Sequence, residues 1–527
     1  MPRLSFRSAI PLALLVFSTA LTGLSQSATV STTPSPSPTP AFSTSTQTLS
    51  DLIFRLRQSL AKPEVQRGSV GVKITSLASG KVVFEQNAEK YFMPASNMKN
   101  YTVAAALDRL GPDYRIVTSI FAAAAPDSDG VVNGDLIIFG RGDVSMSTRF
   151  NGSEDPMKSI DPVVDKVVAA GIKKVTGSIV GDDSYFRGFA IPQGWEWDDL
   201  QWSYGAEVSA LPVNDSVVDL SVTPGPSGYG CNVKIAPFNP VIRVVNQCLT
   251  GPAGSRRTLG IHKKLDQNVL ELSGSLPLGD RGFSGEISVS HPAELFAALL
   301  RQRLIERGIT VTGGYRYDKR GDGSLPAGVE ILRIESAPLA AITAHTLKPS
   351  QNMYTETLLW TLGELDRNAT MVPGGGATIS TADSAELGIA SVRKFLTTIG
   401  VAPDGIIQYD GSGLSRHNLI TPASIVQVYT YMGKQSRYSQ AWRDSLTIGG
   451  VDGTLRNRFR GTRANNNVRG KTGTIDQVSA LSGYVKTAAG EELVFSMVVN
   501  GVAQTSTRTG LLDEMVNSLA NFTGRVD

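Results

Sequence analysis

The chain is expected to fold as an α+β protein: an antiparallel sheet with a helical subdomain, interrupted by nested inserted α/β and β-rich segments. Three observations predict this. Residues 49–118 read as helix, hairpin and helix. After residue 335 helical patterns return and end in paired strands and a last helix. Between them, from about 119 to 334, short strands alternate with Gly/Asp turns. At 527 residues, 41% hydrophobic and 18% charged, the chain has the length and composition of a multidomain globular protein.

Residues 1–28 read as a secretory signal. Arg3 and Arg7 give a basic start, Ile10–Leu24 is apolar but too short for a confident span, and Ser25, Ser27 and Ala28 offer cleavage sites. An uncleaved anchor is the alternative. Residues 29–48 are mostly Ser, Thr and Pro and read as an extended linker. No later segment has the pattern of a membrane span. The net charge of +3, which includes Arg3 and Arg7, is no electrostatic footprint for nucleic acid or an anionic membrane.

Folding is expected from Leu49, where Leu52, Leu56 and Leu60 recur at helical spacing. Val70–Thr75 and Lys81–Phe84 flank Ser79-Gly80 as a hairpin. Strands are expected at Asp135–Gly140, Gly177–Asp183 and Val217–Val222. Helices are expected at Asp161–Ala170, with Asp161 as N-cap and Pro162 in the first turn, and at Ala293–Glu306. Further helices are expected at Leu339–Leu347, Asn352–Leu362, Thr381–Thr398, Pro422–Tyr431 and about Gly510–Phe522. Leu481–Thr487 and Glu492–Gly501 read as a terminal hairpin. The domain division that follows is 49–118 with 335–527, an insert of 119–212 with 285–334, and a second insert of 213–284 nested within it. Cys231 and Cys248 are the only cysteines. In a secreted chain they are expected to form a disulfide, two reduced buried thiols being the alternative.

The chemistry starts at Pro94-Ala95-Ser96-Asn97-Met98-Lys99. A serine and a lysine three residues apart at the mouth of a helix share one face, so the amine can reach the hydroxyl. A serine hydroxyl needs a base, and lysine is a base only when burial or a cationic neighbour lowers its pKa. The other parts of an acyl-transfer site follow. Ser350-Gln351-Asn352 opens a helix, and Lys471-Thr472-Gly473-Thr474 ends an extended run beginning at Asn467. Ser96 would attack a carbonyl and Lys99 take its proton. Ser350 would relay that proton, and Asn352 would hold a substrate amide and Lys99. Lys471 would help keep Lys99 neutral and draw in an anionic terminus, with Thr472 and Thr474 adding hydroxyls for it. The N–H groups of Ser96 and Thr474 would form an oxyanion hole, and Gly473 would let substrate approach the strand edge.

Ser-x-x-Lys, Ser-x-Asn and Lys-Thr-Gly in this order form the set shared by penicillin-binding proteins and serine β-lactamases. The chain more closely resembles the class C, type-4 penicillin-binding proteins, the D-alanyl-D-alanine carboxypeptidase/endopeptidases. Ser96 and Ser350 lie 254 residues apart, which leaves room for the large insert that marks this family. Family-like stretches are Gly177–Asp183, Tyr204–Leu211, Asp410–Arg416 and Gly449–Leu455. The resemblance implies a transpeptidase-like domain with nested inserts. It implies periplasmic or cell-wall action on peptidoglycan stem peptides after export, acylation by β-lactams as covalent inhibitors, and no metal or cofactor. It also implies that Asp199, or else Asp198, binds a free amine of the stem peptide and that Arg416 is a candidate for a substrate carboxylate. Glu207, Arg141 in Gly140–Val144, and Asn97 depart from the family pattern without removing a catalytic group.

Two other readings compete: a β-lactamase or esterase built on the same residues, and a non-catalytic peptidoglycan binder or β-lactam sensor. The intact motif set argues against the binder. The four scattered histidines lack a His-Glu-x-x-His, there is no G-x-S-x-G, and Gly470-Lys471-Thr472 lacks the first glycine of a phosphate loop, Asn465 standing there.

Overall fold

Val82–Gln86, Ser69–Ser76, Glu492–Asn500, Val478–Lys486, Arg469–Ile475 and Thr447–Ile448 lie side by side, in that order, in a six-stranded antiparallel sheet. The strands come from opposite ends of the sequence. Ser69 pairs with Asn500 and Ser76 with Leu493, so the N-terminal hairpin zips onto the C-terminal one. This is a computed structural model, and it describes residues 47–370 and 381–526. The expected signal segment and linker, apart from Gln47 and Thr48, lie outside the described residues. Among the described residues, no helix is long and apolar enough to cross a membrane.

The sheet is covered on both faces, and its side chains alternate accordingly. Phe495, Met497 and Val499 join Leu52, Leu56, Leu512 and Met515 in one core, which the first helix, Leu49–Leu60, and the last, Thr505–Ala520, close. Val494 and Val498 face a second core with Met98, Tyr429 and Trp442. That core surrounds the helix Lys99–Leu110, in which every residue from Lys99 to Leu107 is buried, polar ones included. The sequence predicts a last helix from Gly510; it starts at Thr505 because buried Arg508 donates to Ala503 O, Thr505 Oγ1 and Ser479 Oγ and satisfies the polar first turn. The helix from Asn352 was expected to end at Leu362 and runs to Thr370. Gly363 lies inside it at a close approach to the helix Ser384–Thr398, where a Cβ would stand 2.2 Å from Ser384 O.

The intervening segment builds a five-stranded mixed sheet in the order Tyr315–Asp318, Ile179–Asp182, Leu136–Phe139, Val117–Ala122, Val329–Glu335. The first three are parallel neighbours and the last two join antiparallel. The helix Pro292–Glu306 contributes Leu295, Phe296 and Leu299 to the core beneath it. Asp161 does not cap its helix. A short 3-10 turn, Pro156–Ile160, puts Ile160 at the cap, and the Asp161 carboxylate instead takes both arms of the Arg303 guanidinium at 2.7 and 3.1 Å. Small β-sheets fill the stretch from Val217 to Ser288, and the pairing of Phe283–Ser288 with Val217–Thr223 carries this β-rich segment past residue 284. Cys231 and Cys248 are joined there in a disulfide.

Candidate functional site

Each of the three motifs sits where two elements meet. Ser96 lies in a single 3-10 turn, Ala95–Met98, that runs directly into the helix Lys99–Leu110. Ala95 before it and Ser350 before the Asn352 helix both hold left-handed backbone, φ +46° and +69°, which non-glycine residues rarely adopt. Such strain persists only where surrounding contacts enforce it. For Ala95 those contacts are tight: a Cβ on Gly413 would meet Ala95 O at 1.9 Å, and one on Gly473 would meet Pro94 O at 2.6 Å. Asn97 fastens the turn to the edge strand by donating from Nδ2 to Lys471 O at 3.1 Å.

Lys99 Nζ donates to Ser96 Oγ at 3.0 Å, to Asn352 Oδ1 at 2.6 Å and to Ser412 O at 2.7 Å. Asn352 Nδ2 in turn donates to Tyr204 O at 2.8 Å. Lys471 Nζ donates to Ser350 Oγ and to Thr472 O, each at 2.8 Å. Both lysines are fully buried. Burial pulls Lys99 down to about 7, against the opposing pull of the Asp410 and Glu356 carboxylates. Burial, and then the charge of Lys99, hold Lys471 well below the ordinary lysine value. Two ammonium groups this close and this dry cannot both keep a proton cheaply.

A cleft of about 550 Å3 is lined by Ser96, Ser350, Asn352 and Thr474, and also by Glu196, Asp198, Asp199, Tyr204, Arg416 and Asp476. Asp199 is pushed up, first by partial burial and then by Asp198 and Glu196, with Tyr204 and Arg416 opposing. Arg416 already pairs with Glu196 at 3.2 Å and donates to Asp476 O at 3.1 Å. Thr474 faces the cleft, while the Thr472 hydroxyl is engaged with Thr454 at 2.7 Å. Among the described residues, no strand pairs with the free side of Lys471–Ile475 beyond the short Thr447–Ile448 contact at Gly470 and Arg469. Nor does any group of three or more His, Cys, Asp or Glu among them stand where it could hold a metal ion.

The D-Ala-D-Ala carboxypeptidase 3 (S13) family pattern matches residues 52–522. The chain belongs to this family of serine-type peptidases. It is 34% identical over 457 residues, 84% of this chain and 79% of the relative, to a D-alanyl-D-alanine carboxypeptidase of an Actinomadura species. It is 25% identical over 474 residues, 84% of each chain, to a penicillin-sensitive carboxypeptidase A of Dictyostelium discoideum. Among solved structures, penicillin-binding protein 4 (DacB) from Haemophilus influenzae shares the fold with a TM-score of 0.72 at 22% identity, covering 89% of this chain and 98% of that one. The same Haemophilus protein complexed with a β-lactam gives a TM-score of 0.67.

The three residues expected to depart from the family pattern have structural partners. Glu207 Oε2 accepts the His291 N–H at the start of the helix Pro292–Glu306, Arg141 binds Val117 O and Ser119 Oγ, and Asn97 bridges to the edge strand. Sequence reasoning missed Glu356 and gave Asp410 no role, the two buried carboxylates whose charge acts on Lys99. One signal was present: Glu356 stands four residues after Asn352, on the same helix face.

Proposed function

We propose that the protein is an exported serine D,D-peptidase that removes terminal D-alanine from peptidoglycan stem peptides, cuts D-alanyl crosslinks, or does both, through an acyl-enzyme on Ser96. The observation that carries this reading is the pair of linked contacts Ser96–Lys99–Asn352 and Ser350–Lys471, drawn from three distant segments into one cleft. In this reading Lys99 takes the Ser96 proton as the hydroxyl attacks the D-alanyl carbonyl, and Ser350 returns a proton to the leaving amine. The N–H groups of Ser96 and Thr474 stabilise the oxyanion.

The lysine pair suggests how the roles divide. In the free enzyme Lys99 has two carboxylates favouring its proton, whereas the charge that most affects Lys471 is Lys99 itself. A substrate carboxylate arriving beside Lys471 and Thr474 supplies the missing counter-charge. The proton is then better placed on Lys471, which leaves Lys99 neutral and able to act as base. The open edge of Lys471–Ile475 lets the peptide dock as an added strand. Asp199 and Arg416 are assigned the next part of the stem peptide, Asp199 taking an amine and Arg416 a carboxylate once it is released from Glu196. Export by the 1–28 signal, action in the periplasm or cell wall, and β-lactams as covalent inhibitors belong to the same proposal.

The test is labelling with a fluorescent penicillin. Wild type should carry a covalent adduct and Ser96→Ala none, and equal label on both proteins would remove Ser96 from the reaction. D-alanine release from a stem pentapeptide, compared with cleavage of a purified crosslinked dimer, then separates carboxypeptidase from endopeptidase action.

A further inference from the structure

Lys99 has three acceptors, and one helix governs two of them. Asn352 presents Oδ1 directly. One turn on, Glu356 is fully buried and accepts the N–H groups of Gly411, at 2.9 and 3.0 Å, and of Ser412, at 2.7 Å. The carbonyl of that same Ser412 is the third acceptor of the Lys99 ammonium. We propose that Glu356 is a positioning residue: it fastens the Ser412 carbonyl against Lys99 and so places the base that faces Ser96.

On the helix side Thr102 Oγ1 also donates to Gly411 O at 3.2 Å, but among the described residues Glu356 is the acceptor of the Gly411 and Ser412 N–H groups. Two of the N–H groups that follow are held by Asp410. Asp410 accepts from Gly413 N and Ser415 N, each at 2.7 Å, as well as from Asn418 Nδ2 and Trp195 Nε1. Removing the Glu356 carboxylate would leave two buried N–H groups without an acceptor and loosen the 410–411 and 411–412 peptides, which lead into the Ser412 carbonyl, with only the Thr102 hydroxyl still on Gly411 O. A buried donor left unpaired is costly enough to favour a rearrangement of these peptides. Glu356 also acts on Lys99 through charge. The charged groups around it are Lys99 on the helix after Ser96 and Asp410 on the loop, with Lys471 facing Lys99 from the edge strand. Burial first, and then Asp410, push Glu356 up, while the Gly411 and Ser412 hydrogen bonds oppose that rise. Whatever negative charge it carries strengthens Lys99's hold on its proton.

The inference rests on Lys99 being the base for Ser96, and its test separates the two. Second-order acylation rates with a fluorescent penicillin would be measured against pH for the full chain, for Glu356→Gln and for Glu356→Asp, alongside melting curves. Glu356→Gln keeps one acceptor oxygen and turns an NH2 toward the Gly411 N–H, so the plateau rate should fall by about tenfold or more while the protein stays folded, and the acidic limb should move to lower pH. Glu356→Asp keeps the charge and should hold the limb at the wild-type pH. An unmoved limb with a Glu356→Gln rate within about twofold of wild type overturns the proposal. So does a rate lost only together with the melting transition, or failure of both variants to fold, since either result marks a scaffold role. In each of these outcomes a labelled wild type and an unlabelled Ser96→Ala leave the peptidase reading standing.

Discussion

At the scale of single residues the cleft is governed by where protons sit. Lys99 is a buried amine drawn down to about 7, with Ser96 Oγ in reach. If it is the base, its neutral form does the work, and acylation should rise with pH through about 7 and then level off. A rate–pH curve with the chromogenic or fluorescent β-lactam checks this, and a flat profile between pH 5 and 9 would argue against a lysine base. Stability follows the same sign. The folded pKa lies below the unfolded one, so between about 7 and the ordinary lysine value the unfolded chain binds more protons. This lysine's penalty therefore shrinks as pH rises through that window and is full below it. Lys471 is lowered as well and pushes in the same direction. Melting temperature should accordingly climb from pH 6 to pH 9 more steeply in wild type than in Lys99→Met.

At the scale of elements the decisive contact is between the Ser96 turn and the edge strand Arg469–Ile475. Gly473 makes it possible, since the Cβ of any other residue would stand 2.6 Å from Pro94 O and 3.1 Å from Asn97 N. Neither neighbour is a flexible side-chain end, so the strand or the turn must shift. We expect Gly473→Ala to lower the acylation rate by about 100-fold, ~2.7 kcal/mol of barrier, by misplacing Ser96 against Thr474. A stopped-flow acylation measurement checks this, and a near-wild-type rate would show that the two elements slide freely. The close Gly413–Ala95 approach, with Gly413 at φ +85°, is the matching constraint from the other side of the turn.

At the scale of the whole molecule, the Ser96 turn and the Asn352 helix are joined by a long insert that comes back to the cleft at residues 196–204. The nested β-rich segment adds Leu270, Leu272 and Leu276 to the core it shares with the mixed sheet, and its disulfide closes a 17-residue separation. By chain entropy such a closure contributes about 3 kcal/mol to the segment it closes. The double variant Cys231→Ala/Cys248→Ala should lower the melting temperature and yet label with penicillin at a rate within about twofold of wild type. A parallel collapse of labelling would mean that the insert and the cleft fold as one cooperative unit.

Sequence alone determined the parts whose signals are local. The three motifs, the hairpins at both ends and most helix starts were legible because side-chain periodicity, turn residues and short spacings act over a few residues. Ser96 and Lys99 needed only one helical turn to meet. Tertiary structure alone decided which distant groups face one another. Glu356 lies a single turn beyond Asn352, but what makes it matter is a loop some 55 positions away whose N–H groups it holds. Arg508 lies just before the helix expected from Gly510, yet it is buried inside that helix, because its partners are carbonyls and hydroxyls brought in by the chain around it. Asp161 reads as a cap and is an ion-pair partner of Arg303, 142 residues further on. The physical reason is common to these cases. Burial and electrostatic pairing depend on separation in space, and a linear chain encodes that only through the complete set of packing contacts.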